Sequence, residues 1–90
     1  MTVEDLLNAT KENYELAIKD KCEYRISNVI RGYETLSNLY HLGMITAKTF
    51  NKYFDDIYTM ANNVYIRYVQ NDEEMIKKVK SIVRSAPFSL

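Results

Sequence analysis

Apolar residues recur at intervals of three and four along nearly the whole chain, the spacing that lines one face of an α-helix. Val3, Leu6, Leu7, Tyr14, Ala17 and Ile18 share one such face. Thr2 is placed to cap that helix, and Glu4 and Asp5 in its first turn suit the positive end of the helix dipole. From Cys22 onward the apolar face moves. Cys22, Ile26, Val29, Ile30, Tyr33, Leu36 and Tyr40 lie about 60–100° around the wheel from the first set, and Lys21 would land inside the earlier stripe. A single long helix can absorb such drift by wrapping around its neighbour. Asp20 and Glu23, however, have capping-box spacing, and the pattern favours a break near Asp20.

The next boundary is Leu42-Gly43-Met44-Ile45-Thr46. Gly43 can take the left-handed conformation that ends a helix, Met44 or Ile45 can supply the apolar contact that accompanies it, and Thr46 can cap the next helix. A turn this short makes the flanking helices an antiparallel hairpin. Beyond it, Phe50, Ile57 and Val64 recur every seven residues, and Phe54, Ala61 and Tyr68 repeat four residues later, giving an a/d-like seam. Tyr53, Tyr58, Met60 and Tyr65 widen this seam to about half the circumference, more than one neighbouring helix covers. Asn71 and Glu74 have capping-box spacing for a last helix, whose apolar stripe is Met75, Ile76, Val79, Ile82 and Val83. Pro87 should lie just past its end.

These signals predict an all-α fold in a single domain over residues 1–90, with helices at about 2–19, 21–42, 46–70 and 72–84 and a tail over 85–90. The architecture is either a four-helix up-down bundle or a long αα-hairpin with a short C-terminal helix. The wide face of the third helix makes a homodimer an expectation as well.

Composition narrows the class. The 90 residues are 47% hydrophobic, with 12 basic and 12 acidic side chains, 2 Gly, 1 Pro and 1 Cys. That excludes collagen-like, low-complexity and disulfide-framework proteins. No run approaches the roughly 18 apolar residues of a membrane span, and the opening Met1-Thr2-Val3-Glu4-Asp5 lacks the basic start of a signal peptide. With a lone Cys22, these features predict a cytoplasmic protein with no membrane partner. Lys outnumbers Arg 8 to 4, and Ile, Asn and Tyr each occur 8 times while Gly and Pro are scarce. Those preferences follow A/T-rich codons, as in a low-GC bacterium or its phage.

Catalytic chemistry finds little to work with. Cys22 and His41 fall near opposite ends of one predicted helix about 28 Å long, too far apart for a nucleophile and its base. Cys22 reads as a small core residue, and His41 as a polar group in a last helical turn. There is no C-x2-C, no H-E-x-x-H, no E-x-x-H and no Gly-rich phosphate loop. No enzyme activity, cofactor or metal is expected.

Two binding readings remain. The first is a protein–protein interaction module that binds and regulates or inhibits a larger partner, such as a phage or mobile-element accessory protein. Its candidate residues are Tyr24, Tyr53, Tyr58 and Tyr65, at the edges of the apolar stripes or off them, together with Ile66 on the polar face of its helix. Tyr suits interfaces because its ring buries while its hydroxyl stays paired or wet. The second is a nucleic-acid-binding regulator. Residues 1–42 and 43–74 each carry −2 and residues 75–90 carry +4, so Lys77, Lys78, Lys80 and Arg84 form a basic helix on a neutral chain.

Overall fold

In the computed structural model the described residues are 2–85, with side chains through residue 82. They fold into four α-helices and one π turn: α1 (Val3–Asp20), α2 (Glu23–His41), α3 (Ala47–Val64), the π turn (Tyr65–Val69) and α4 (Glu73–Ser85). There is no strand among the described residues, and the all-α expectation holds. Residues 86–90, most of the expected tail, lie outside the described residues.

Three of the four helices start where a side chain caps their orphan N–H groups. The Thr2 hydroxyl accepts from the Asp5 N–H at 3.1 Å, and the Asp5 carboxylate accepts from the Thr2 N–H at 2.9 Å, a reciprocal cap on α1. The Thr46 hydroxyl accepts from the Thr49 N–H at 3.2 Å at the start of α3. The cap of α4 differs from the expected Asn71. It is Asp72, whose carboxylate accepts from the Met75 N–H at 3.0 Å, so the helix begins one residue later.

The break between α1 and α2 falls where the shifting apolar face placed it, but by another device. Asp20 is the last residue of α1 and caps nothing. Lys21 takes a left-handed conformation (φ 53°), and its N–H donates to the Ala17 carbonyl at 2.8 Å. Cys22 then occupies the N-cap position of α2 without a side-chain hydrogen bond. It is exposed and not part of the core, because it stands outside the helix on whose wheel it had been placed.

At the hairpin, Gly43 has φ 73°. Its N–H donates to the Tyr40 carbonyl at 3.0 Å, and the Met44 N–H donates to the Leu39 carbonyl at 2.9 Å, the paired bonds of a Schellman stop. Ile45 packs against the core, while Met44 is 64% exposed.

α2 is the central element. It packs against α1, α3 and α4, whereas α4 packs on α2 and the π turn and makes no comparable contact with α3. Leu6, Ala17, Ile26, Val29, Leu36, Ile57 and Val64 are fully buried. Each of the larger ones contributes about 1.5–3 kcal/mol of transfer free energy. The α1–α2 interface also carries a polar network. The Asn13 side-chain carbonyl accepts from Arg25 Nη1 at 3.0 Å and from Asn28 Nδ2 at 3.2 Å, and Arg31 Nη2 donates to Asn28 Oδ1 at 3.1 Å. Cross-helix hydrogen bonds of this kind hold two helices in one register.

The third predicted helix is not uniform. At Tyr65 it widens into the π turn, which adds one residue relative to an α-helical turn and rotates the residues downstream by about 100°. Val69 therefore turns into the core, and Tyr68, expected on the seam, packs against the core half-buried, as Phe50 and Phe54 do.

Candidate functional site

α3 meets its neighbours on two sides. Asn63 donates a hydrogen bond from its side-chain amide to the Tyr14 hydroxyl, which places α1 on the flank of α3 that carries Asn63 and Met60. Tyr58 and Tyr65 lie on the opposite flank, which α2 covers in part and on which, among the described residues, no further helix packs. Because α4 leaves the π turn and packs on α2, α3 and α4 diverge, and a groove opens between them with α2 as its floor.

Two adjoining cavities occupy this groove. One, of about 250 Å³, is lined by Ile30, Glu34, Tyr65, Val69, Ile76, Val79 and Lys80. The other, of about 230 Å³, is lined by Ile30, Tyr33, Glu34, Tyr58, Ala61, Asn62 and Tyr65. Ile30, Glu34 and Tyr65 belong to both, so the groove is continuous.

Towards the hairpin the groove is bordered by an aromatic ladder at helical spacing. Tyr40 stacks on Phe50 at 4.6 Å between ring centroids, Phe50 meets Phe54 at 5.3 Å, and Phe54 stacks on Tyr58 at 5.2 Å. Tyr33 crosses from α2 to reach Tyr58 at 5.4 Å and Phe54 at 6.1 Å. Interlocked rings hold one another in place, so the wall is stiff at little further entropic cost. Tyr58 is 41% exposed and Tyr65 43%, leaving ring surface free beside the cavities.

The structure brings together part of the expected partner-binding set. Tyr58 and Tyr65 line one cavity. Ile66 is 54% exposed and follows Tyr65 in the chain, but it lines neither cavity. Tyr53 is half-buried and packs against the core, away from the groove. Tyr24 is 55% exposed but sits about 180° around α2 from Tyr33. Eight lining residues were not singled out as site candidates from the sequence: Ile30, Tyr33, Glu34, Ala61, Asn62, Val69, Ile76 and Val79. Ile30 and Tyr33 were visible only as stripe residues of their own helix, and Glu34 has no distinguishing local pattern.

Among the basic residues, Lys78 pairs with Glu23 of α2 at 3.1 Å, and that carboxylate raises its pKa above the ordinary lysine value. Lys77 is exposed, and Lys80 lines the larger cavity. The side chain of Arg84 lies outside the described residues. Cys22 and His41 stand at the two ends of α2, and no group of three His, Cys, Asp or Glu side chains able to hold a metal ion occurs among the described residues. Among the described residues no helix is long and apolar enough to cross a membrane.

No family model matches this chain, and no curated protein and no solved structure matches it.

Proposed function

We propose that this protein is a non-enzymatic interaction module that binds a larger protein through the groove between α3 and α4 and thereby regulates or inhibits it. The observation that carries this reading is the flank of α3 that α2 covers only in part. There Tyr58 and Tyr65, each about two-fifths exposed, line cavities with an apolar floor at Ile30. Burying partly exposed, pre-packed aromatic rings is a common source of affinity at protein interfaces. The A/T-rich residue preferences support a phage or mobile-element accessory protein acting on a host component.

Nucleic-acid binding through Lys77, Lys78, Lys80 and Arg84 has less support. Lys78 is already engaged with Glu23, and Lys80 borders the apolar groove.

Affinity capture from the native cell, read by mass spectrometry, tests the proposal. The wild type is expected to retain a protein that the Tyr58→Ser/Tyr65→Ser variant loses while its circular dichroism stays helical. Recovery of nucleic acid alone, with affinity falling steeply in salt and abolished by Lys77→Gln/Lys78→Gln/Lys80→Gln, would overturn it.

A further inference from the structure

Two residues bend the chain between α1 and α2. Lys21 is the one non-glycine residue with a left-handed backbone among the described residues (φ 53°, ψ 30°), and Cys22 is extended at ψ 127°. None of Asp20, Lys21 and Cys22 is Gly or Pro, so no side chain here requires a turn. On both sides of the bend the chain is already helical. The Lys21 N–H donates to the Ala17 carbonyl at 2.8 Å and the Ile26 N–H to the Cys22 carbonyl at 3.0 Å, each the four-residue step of an α-helix. The bend is also weakly supported. A left-handed backbone is unfavourable for Lys, and α2 starts without the side-chain cap that α1, α3 and α4 each have.

Straightening Lys21 and Cys22 joins α1 and α2 into one helix from Val3 to His41, roughly 58 Å long. The faces that α1 and α2 turn towards each other then lie on one side of it. Leu6, Ala17, Asn28 and Leu39 recur every eleven residues and are all buried, and Thr10, Lys21 and Gly32 recur at the same interval. An eleven-residue repeat keeps one face of a helix aligned through a gentle right-handed wrap. Straightening also lifts α1 from its own α2 and α3 and exposes the core they share, which a single chain cannot restore. A second copy can. α1 and α2 run antiparallel, with Thr10 against Gly32 and Asn13 bonded to Asn28 at 3.2 Å. Two straight helices laid antiparallel reproduce these pairs between copies, and the same register sets Lys21 of each copy beside Asp20 of the other at the twofold axis. The surface vacated on α2 and α3 is shaped by α1, and the second copy carries that same α1.

We propose that the protein forms a domain-swapped homodimer, in which Lys21 and Cys22 become helical and α1 of each copy packs on α2 and α3 of the other. This differs from a dimer closed over the wide face of α3. It also goes beyond the docking reading, because α1 and the groove lie on opposite sides of α2 and the groove stays open in both copies.

Light scattering on the full chain, refolded at low and at high protein concentration, tests this. The wild type should give a dimer whose share rises with the concentration at refolding. Lys21→Gly relieves the left-handed residue and disfavours the straight helix, a factor of about ten in each copy, so dimerisation should weaken about a hundredfold. Glu23→Pro suits the first position of a separate α2 but blocks a continuous helix, and should stay monomeric. Lys21→Val resists a left-handed backbone and should shift the balance towards the dimer. All three should keep a helical circular dichroism spectrum, and Tyr58→Ser/Tyr65→Ser should dimerise as the wild type does. In a dimer refolded from isotope-labelled and unlabelled chains, the Thr10 methyl should show a filtered nuclear Overhauser effect to the Gly32 α-protons of the other copy. A wild type that stays monomeric at every concentration would overturn the proposal. So would a dimer that persists undiminished in Lys21→Gly and Glu23→Pro, or a Thr10–Gly32 contact confined to one chain. A dimer that dissociates in Tyr58→Ser/Tyr65→Ser would overturn it as well, by placing the interface at the groove.

Discussion

Gly32 of α2 and Thr10 of α1 face each other with no room for a methyl group between them. A Cβ on Gly32 would collide with Thr10 Oγ1 and lie 3.2 Å from its Cγ2. Thr10 is itself held, because its hydroxyl donates to the Leu6 carbonyl at 2.7 Å. This close approach seats α1 on one side of α2 and leaves the opposite side to α4 and the groove.

Replacing Gly32 by Ala therefore sets two effects against each other. Helix propensity favours Ala by about 1 kcal/mol. Overpacking against a fixed neighbour costs about 1–3 kcal/mol, and a net loss of stability is expected. Adding Thr10→Ala should relieve the clash, so a double-mutant cycle should show coupling of about 1 kcal/mol or more. Purely additive melting shifts would show that the helices are not in close contact here.

Gly43 presents the reverse situation. A Cβ built on it meets nothing within 4 Å, so only its φ of 73° resists substitution. Gly43→Val should lose about 1–2 kcal/mol through left-handed strain, and Gly43→Asn distinctly less, since Asn tolerates that region. Chemical denaturation measures both; equal stability of Val and Gly would contradict the left-handed stop.

Stability and binding should separate among the tyrosines. Tyr53 packs against the core, so Tyr53→Ala should lower the melting temperature with a cost of about 1–3 kcal/mol. Tyr58→Ser with Tyr65→Ser should cost less and remove partner capture. Tyr24→Ser, far around α2, should change neither. If Tyr24→Ser were the variant that abolished capture, the interface would lie elsewhere.

Cys22 is exposed at an N-cap to which it contributes no side-chain bond. Cys22→Ser should leave stability within about 0.5 kcal/mol of the wild type, or raise it through a better cap. A loss of several kcal/mol, as for a core residue, would refute the position of this break.

Acid should loosen the start of α1. The Thr2 backbone N–H, and then its hydroxyl, hold the Asp5 carboxyl below its ordinary pKa of 3.8. A depressed folded-state pKa means a contribution that is present above the unfolded value and lost as pH falls through the folded one. Between neutral pH and about pH 3, the wild type should therefore lose more thermal stability than Asp5→Asn, which has no carboxylate to protonate. Parallel losses in the two proteins would remove Asp5 from the acid response.

The helices, the starts of α1 and α3 and the hairpin stop were legible because they depend on near neighbours. Thr2, Gly43 and Thr46 act on groups within a few residues of themselves, and the apolar stripes report which face of each helix is covered. Even the break near Asp20 showed as a jump of the stripe. How the chain makes that break did not show. Asp20 had a plausible capping partner by spacing, whereas the structure spends a left-handed Lys21 to redirect the chain, and Cys22 left the core with it.

Tertiary structure decided the rest. Nothing in Tyr65-Ile66-Arg67-Tyr68-Val69 forbids a regular helix. The π turn appears where Val69 is drawn into the core beneath α4, while Tyr68 keeps a half-buried place against the core. The groove is likewise a product of distance along the chain. Ile30 and Tyr33 come from α2, Tyr58 and Tyr65 from the far half of the hairpin, and Val79 and Lys80 from α4. Periodicity reveals that a helix has an apolar face but not which neighbour covers it. That choice was settled by long-range packing, by α4 lying on α2 and not, among the described residues, along α3.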